Sequence, residues 1–167
     1  MKEIFVRLDK CNGCRGCEIA CAVEHSATKN LFAAIFESPR PHRRLYVEPF
    51  HERGVPILCR QCEDAPCLAA CISGAIWRDQ ARGGVVMQRG ERCIGCWTCI
   101  MVCPYGVIGR QQNGRRIALK CDLCPDRETP ACVAACPTRA LVYTEAEAWA
   151  KGMRQGAATT IAAAVGR

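Results

Sequence analysis

The sequence predicts an α+β fold in which short β-hairpins and short helices form two nested modules, followed by a helix at the C-terminus. Three observations lead to this prediction. The 16 cysteines of the 167-residue chain fall into groups of four, and short β-like runs flank these groups. Aromatic residues make up only 6% of the chain, so the cysteines are expected to support a thin hydrophobic core. After Tyr143, apolar residues recur at helical spacing.

The cysteine groups are compact, and no cysteine is left over. The first group, C-x2-C-x2-C-x3-C, consists of Cys11, Cys14, Cys17 and Cys21. The second group, C-x2-C-x4-C-x3-C, consists of Cys59, Cys62, Cys67 and Cys71. The third group, C-x2-C-x2-C-x3-C followed by proline, consists of Cys93, Cys96, Cys99 and Cys103. The fourth group, C-x2-C-x7-C-x3-C followed by proline, consists of Cys121, Cys124, Cys132 and Cys136.

This spacing is typical of bacterial [4Fe–4S] cluster loops. The third group and Pro104 match the bacterial run in full, and the first group lacks only the proline. Such a loop can wrap one cubane so that its first three thiolates reach three irons. The last cysteine lies one helical turn further along, where it can ligate the other cluster of a pair. The 16 cysteines therefore predict four [4Fe–4S] clusters, with every cysteine a ligand.

A zinc-stabilised interaction module is the alternative from a different class. Structural zinc sites also use four cysteines, but a dozen or more residues usually separate their C-x2-C pairs. Here the four ligands of each group lie in a much shorter segment, which favours iron–sulfur clusters. The histidines His25, His42 and His51 lie outside the cysteine groups and are interpreted as surface or loop residues.

The sequence also predicts a cytoplasmic protein without a membrane span. Residues 1–10 alternate between polar and apolar and contain no apolar h-region of a signal peptide. The longest uncharged run, residues 93–109, contains Pro104 and falls short of the roughly 20 apolar residues that a spanning helix needs. Cytoplasmic thiols are kept reduced, which argues against disulfides.

The net charge excludes a nucleic-acid-binding function. The formal charge of +7 counts every cysteine as neutral. An oxidised cluster with four thiolates carries about −2, so four clusters contribute about −8 and the loaded protein is nearly neutral. Arginines beside the cluster loops are candidates for tuning reduction potentials, with a solvated surface position as the alternative for each. They are Arg15, Arg60, Arg92 and Arg127.

The β-like runs around the second and third groups predict an inner module. A turn at residues 78–84 would join the run at residues 74–77 to the run at residues 85–88 as a hairpin. A further β-like run follows the third group at residues 106–108. Residues 55–116 would then form a two-cluster module that resembles a bacterial ferredoxin.

If the second and third groups share one module, the first and fourth must form the other. This outer module would comprise residues 1–22 and 117–144. The strand at residues 3–7 would then lie beside the strand at residues 140–143. Residues 110–116 could also form a turn that joins the third and fourth groups, which is the alternative at this point.

The two remaining segments lack cysteine. Residues 23–54 are an insertion that covers the modules or meets a partner, and residues 27–36 are expected to be partly helical. Residues 145–167 are the tail. The tail is predicted to be helical, and Thr144 is predicted to begin the helix. Its apolar stripe either docks on a neighbouring subunit or packs on its own domain. The stripe consists of Trp149, Met153, Ile161 and Val165.

The cysteine runs resemble a known family. The runs CRQCEDAPCLAACISGAI, CIGCWTCIMVCPYGVI and KCDLCPDRETPACVAACPTRAL are similar to four-cluster subunits of the dimethyl sulfoxide reductase iron–sulfur subunit family. The run CNGCRGCEIACAVEHSATKNLFAAIFESPRP most resembles small cytoplasmic members that accompany tungsten aldehyde oxidoreductases and carbon monoxide dehydrogenases. The resemblance covers residues 3–143.

The resemblance implies a nested, exchanged pairing of the ligands. One outer cluster would be held by Cys11, Cys14, Cys17 and Cys136. Its partner would be held by Cys121, Cys124, Cys132 and Cys21. The inner clusters would be held by Cys59, Cys62, Cys67 and Cys103, and by Cys93, Cys96, Cys99 and Cys71.

The resemblance also implies an electron-transfer subunit that is not catalytic alone. It would carry electrons between a tungsten aldehyde oxidoreductase subunit and a second redox partner, such as a flavoprotein or a hydrogenase. Carbon monoxide dehydrogenase, formate dehydrogenase and hydrogenase are alternative catalytic partners, and self-association is possible. A free, diffusible ferredoxin is a further alternative, which the insertion and the apolar tail disfavour.

Overall fold

A computed structural model describes residues 1–111 and 114–165. The helices are α1 (Gly16–Glu24), α2 (Leu31–Ala34), α3 (Pro66–Ala69), α4 (Thr98–Met101), α5 (Ala131–Ala134) and α6 (Ala146–Val165). The strands are β1 (Lys2–Val6), β2 (Tyr46–Phe50), β3 (Arg53–Ile57), β4 (Ile76–Asp79), β5 (Val85–Gln88), β6 (Gly109–Arg110), β7 (Ala118–Leu119) and β8 (Leu141–Glu145). This mixture of short helices and small sheets is compatible with an α+β ferredoxin-like fold.

The strands form antiparallel pairs, and two of these pairs were predicted. β1 pairs with β8, from Lys2 opposite Glu145 to Val6 opposite Leu141. This confirms that the N-terminal strand lies beside the segment after the fourth cysteine group. β4 and β5 form the hairpin predicted around residues 78–84, with a 3-10 turn at its tip.

The predicted strand at residues 106–108 is wrong. Val107 and Ile108 are buried but belong to no strand, because they pack as core residues without a neighbouring strand. An apolar run shows that a segment is buried more reliably than it shows a strand. The strand β6 follows directly and pairs with β7, which brings together the two ends of the segment between the third and fourth groups. Residues 112–113 of this segment lie outside the described part.

The insertion contains the helix α2, inside the segment predicted to be partly helical, and a hairpin that was not predicted. In this hairpin β2 pairs with β3, and each strand contains a proline, Pro49 and Pro56. Proline is tolerated because a two-stranded ladder consists of edge strands alone. The hairpin lies against the first cysteine loop, where a Cβ atom added to Gly54 would lie 2.6 Å from the Cα atom of Gly13.

The core consists of two apolar clusters, and cysteine side chains belong to both. The first cluster brings together the two ends of the ferredoxin-like region, since it includes Ile4 and Leu141 with Cys17 and Cys132. The second cluster forms around the inner hairpin. Its buried members are Ala65, Ile76, Val86, Cys99, Ile108 and Ala118. Several cysteine side chains are therefore buried together with the aliphatic residues of the core.

The tail is helical as predicted, but it does not begin at Thr144. Thr144 and Glu145 extend β8, because they pair with β1, and the helix begins at Ala146. The Trp149 ring stacks on Phe5 with ring centroids 5.0 Å apart. Further along the stripe, Ile161 is 64% exposed, so the contact with the tail's own domain is confined to its first turns. Within residues 1–111 and 114–165, no helix is both long enough and apolar enough to cross a membrane.

We expect Trp149→Ala to release the tail helix. The stacked contact with Phe5 is worth about 0.5–1.5 kcal/mol beyond its buried area. Its loss should therefore raise the undocked fraction of the tail up to about tenfold. Limited proteolysis at Lys151 measures this fraction. Met153→Ala, at a position 56% exposed, is the control and should leave the cleavage rate near that of the wild type. Equal cleavage of both variants would show that another contact holds the tail.

Candidate functional site

Short helices position the last cysteines of each group. The third cysteine lies in the first turn of α1, α3, α4 or α5, and the fourth lies one helical turn beyond it. The residues before three of these helices have positive φ angles, which turn the loop into the helix. They are Arg15, Ala65 and Trp97. The loop and the turn together direct the fourth thiol away from the first three.

The cysteine side chains range from buried to exposed. Two of them, Cys14 and Cys96, are exposed. The fully buried members are Cys17, Cys21, Cys99, Cys124 and Cys132. The others are half-buried. The first and third groups therefore reach from the interior to the surface of the protein.

The inner groups exchange their fourth cysteines in the cavities that they line. One cavity is lined by three thiols of the second group and the last thiol of the third: Cys59, Cys62, Cys67 and Cys103. A second cavity is lined by three thiols of the third group and the last thiol of the second: Cys93, Cys96, Cys99 and Cys71. Each cavity thus presents four thiols to one volume.

Thiols of the first and fourth groups influence one another's pKa values. Burial, together with the neighbouring Cys136, raises the pKa of Cys17 to about 11. Burial raises the pKa of Cys132 far above its usual range, and repulsion from Cys121 and Cys21 adds to this effect. A bound metal ion would take up the charge of such a buried thiolate and stabilise it.

Backbone N–H groups donate hydrogen bonds to several of the sulfur atoms. Ala140 N donates to Cys136 Sγ at 3.2 Å, and Ala118 N donates to Cys93 Sγ at 3.4 Å. Burial would raise the pKa of the Cys136 thiol. Hydrogen bonds from the backbone N–H groups of the following residues have a larger, opposite effect, so this pKa is lowered. The same balance lowers the pKa of Cys71. Hydrogen bonds to sulfur are one of the features that set the potential of a cluster.

His25 is a loop residue, in the turn that follows α1, but its side chain is largely buried and does not lie at the surface. Its side chain is only 13% exposed, and Nε2 lies 3.2 Å from Asp122 Oδ1. Nδ1 lies 2.7 Å from the carbonyl oxygen of Cys21 and 3.7 Å from its sulfur. Burial alone would lower the pKa of His25, but the hydrogen bonds to Asp122 and Cys21 raise it to about 9. The four-residue spacing from Cys21 on a helix was the available sequence signal.

Asp122 links this histidine to the insertion. It forms an ion pair with Arg44, whose backbone N–H donates to Cys21 Sγ at 3.2 Å. Burial would raise the pKa of Asp122, but the hydrogen bond from His25 and the charge of Arg44 hold it well below its usual range. The network ties the insertion, α1 and the fourth cysteine loop together.

Two of the arginines proposed to tune the clusters have other partners. Arg127 pairs with Glu24 at 3.0 Å, and the Arg60 guanidinium lies over the Phe5 ring, 6.0 Å from its centroid. A different cation, Lys120, is 3% exposed and was not predicted to be a site residue. Lys120 lines the cavity of Cys59, Cys62, Cys67 and Cys103. The available sequence signal was the spacing of two residues from Ala118, which in an extended segment places Lys120 on the same side.

These residues fit [4Fe–4S] clusters. The cavities collect thiols in sets of four, and burial disfavours the thiolates unless iron binds them. Lys120 adds a buried positive charge that suits an anionic group. When bound, a [4Fe–4S] cluster supplies reversible one-electron chemistry. The fold and the thiol sets together define an iron–sulfur protein with ferredoxin-type cysteine loops.

Comparison with known proteins agrees with this class. Residues 52–146 match the 4Fe-4S dicluster domain, and the chain belongs to that family. An "Iron-sulfur protein" of Rhodospirillum rubrum is 38% identical, with 95% of this chain and 90% of that protein covered. "Electron transport protein HydN" of Escherichia coli is 43% identical, covering 85% and 87%. "Thiosulfate reductase electron transfer subunit PhsB" of Salmonella typhi is 35% identical, covering 80% and 70%.

Proposed function

We propose that the chain is an electron-transfer subunit with four [4Fe–4S] clusters, which passes electrons between a catalytic oxidoreductase subunit and a second redox partner. The observation that carries this proposal is the exchange of Cys71 and Cys103 between the two inner cavities. Such an exchange is the arrangement of a two-cluster ferredoxin. Two relatives, HydN and PhsB, bear names that state electron transport or transfer.

The proposed ligand sets follow the nested pairing. The inner sets are Cys59, Cys62, Cys67 and Cys103, and Cys93, Cys96, Cys99 and Cys71. The outer sets are Cys11, Cys14, Cys17 and Cys136, and Cys121, Cys124, Cys132 and Cys21. Repulsion between Cys17 and Cys136 supports the first outer set, whereas the pKa of Cys132 responds to Cys21 of its own set and also to Cys17 of the other. The corresponding units are residues 55–116 for the inner module and residues 1–22 with 117–144 for the outer module.

Electrostatic interactions between thiols of different sets support a linear chain of clusters. Repulsion from Cys67, which belongs to the neighbouring inner set, contributes to the raised pKa of Cys99 in the third group. Repulsion from Cys59 of the inner module contributes to the raised pKa of Cys121 in the fourth group. This interaction supports a link between the two modules. The exposed ligands belong to the sets at the two ends, Cys96 on the inner side and Cys14 on the outer side. We therefore place the two redox partners near these cysteines.

The proposed catalytic partner is a tungsten aldehyde oxidoreductase subunit, with carbon monoxide dehydrogenase, formate dehydrogenase and hydrogenase as alternatives. The name of PhsB supports an oxidoreductase subunit in general, since that relative is described as serving a thiosulfate reductase. A flavoprotein or a hydrogenase would be the second partner, and self-association is a further proposal. We place the protein in the cytoplasm, where its thiols stay reduced until iron binds them.

Anaerobic purification with iron, sulfide and electron paramagnetic resonance analysis tests the function. We expect about sixteen iron atoms per chain, coupled signals of reduced clusters and a co-purifying catalytic subunit, which would identify the reaction. Zinc without sulfide would overturn the proposal and leave a structural interaction module. If the protein carries four clusters but is a monomer without a partner, the proposed redox function stands and the proposal that it is a subunit of a complex is overturned.

A further inference from the structure

The side-chain ammonium of Lys120 is held between the two proposed modules. Nζ donates to the carbonyl oxygen of Val86 at 2.7 Å, on the inner hairpin. It also donates to the carbonyl oxygen of Cys121 at 3.1 Å, in the fourth cysteine loop, and to Gln61 Oε1 at 3.3 Å, in the second loop. One buried cation therefore connects three segments that carry or support cluster ligands.

All three acceptors are neutral oxygens. Across residues 1–111 and 114–165, no carboxylate oxygen lies within ion-pair distance of Lys120 Nζ. A buried charge is costly unless an opposite charge compensates it. At 3% exposure, solvent offers Lys120 little compensation. The charge that balances this lysine must therefore come from another group that lies close to it.

The thiol sets beside Lys120 are the groups that can provide this negative charge. Lys120 lines the same cavity as Cys59, Cys62, Cys67 and Cys103. It precedes Cys121, whose set lies on the other side of the module junction. Burial raises the pKa of Cys67, but attraction to Lys120 opposes this rise. The cation therefore lines the cavity of one set and binds the backbone at the first cysteine of the other.

Gln61 keeps the lysine in place. Its side chain is 5% exposed, donates from Nε2 to the carbonyl oxygen of Cys121 at 3.1 Å and accepts from Val86 N at 2.9 Å. The amide therefore bridges the two segments that also bind the ammonium. The ammonium group is therefore held at a fixed distance from the neighbouring cysteine sets, whatever the charge of the clusters that would be bound there.

We propose that Lys120 raises the reduction potentials of the two clusters at the module junction, and so allows electrons to cross between the inner and the outer module. This inference rests on the proposed electron-transfer function. Reduction adds one negative charge to a cluster. A fixed cation in a low-dielectric interior favours the more negative state. The cysteines of the two end sets do not line the cavity that contains Lys120, so clusters held there should respond less.

The test is a potentiometric titration of the loaded protein, followed by electron paramagnetic resonance. Lys120→Met removes the charge, Lys120→Gln keeps a hydrogen-bond donor without it, and Lys120→Arg keeps the charge. Lys151→Met removes one charge from the exposed tail and is the matched control. In the neutral variants, we expect the reduced-to-oxidised ratio of the junction clusters to fall about tenfold at the wild-type midpoint, which is about 59 mV for one electron. Lys120→Arg and Lys151→Met should stay near the wild type.

The outcomes separate this inference from the proposed function. A wild type without clusters would overturn the function itself. Neutral variants with four clusters and unchanged potentials would overturn only the role of Lys120. If neither neutral variant assembles four clusters, Lys120→Arg decides. If Lys120→Arg keeps the clusters and their potentials, the positive charge is what matters. If Lys120→Arg also loses the clusters, the site requires the shape of lysine, and the proposed role of the charge is overturned.

Discussion

A double variant, Cys14→Ala with Cys136→Ala, is expected to lose one cluster and to keep three intact. The two cysteines are far apart in sequence, but the proposed pairing assigns them to the same outer set. The variant should therefore retain about twelve of about sixteen iron atoms. Iron and sulfide analysis, together with Mössbauer spectroscopy, counts the intact [4Fe–4S] clusters. This is the largest effect that we expect from two substitutions, because one whole redox centre disappears.

The matched control combines Cys136→Ala with Cys124→Ala. Both cysteines belong to the fourth group, but the nested pairing assigns them to different clusters, so two clusters should be damaged and two should stay intact. If each group held its own cluster, the results of the two double variants would be exchanged. The comparison therefore tests the pairing without depending on which cluster gives which signal.

Gly95→Ala is expected to destabilise the third cysteine loop by roughly 3 kcal/mol or more. Gly95 has a φ angle of +69°, and an added Cβ atom would lie 2.5 Å from the carbonyl oxygen of Arg116. Left-handed strain costs about 1–2 kcal/mol, and overpacking against backbone adds about 1–3 kcal/mol. The thermal midpoint of cluster bleaching should fall by about 6–12 °C, which visible absorbance measures.

Gly106→Ala provides the control for this substitution. Gly106 has a similar φ angle of +62°, but no atom lies within 4 Å of its added Cβ position. It should therefore show the strain alone, at about 1–2 kcal/mol. If both variants lost the same stability, the close approach of the segment at Arg116 to the third loop would have no energetic importance.

Local sequence was sufficient to predict the features that depend on neighbouring residues. The spacing of Cys93, Cys96 and Cys99 requires a loop, and the position of Cys103 requires one helical turn, so both follow from chain geometry. The turn at residues 78–84 is encoded by its own glycines and flanking β-branched residues. The iron–sulfur chemistry was predictable for the same reason, because the ligand spacing lies within each group.

Other features depend on segments that are distant in sequence. The β2–β3 hairpin was missed because its prolines weaken the strand signal, and it lies against Gly13 through a contact that spacing does not encode. His25 was missed because its burial depends on Asp122 of the fourth loop.

The spacing of the cysteines was therefore enough to predict which residues can hold the clusters and where the short helical turns lie. Only the tertiary structure decided that Lys120 is buried and that it lies between the second and the fourth cysteine loops. The physical reason is that ligand spacing is a property of a few consecutive residues. The environment of a charge depends on every segment that packs around it, and these segments meet only when the chain folds.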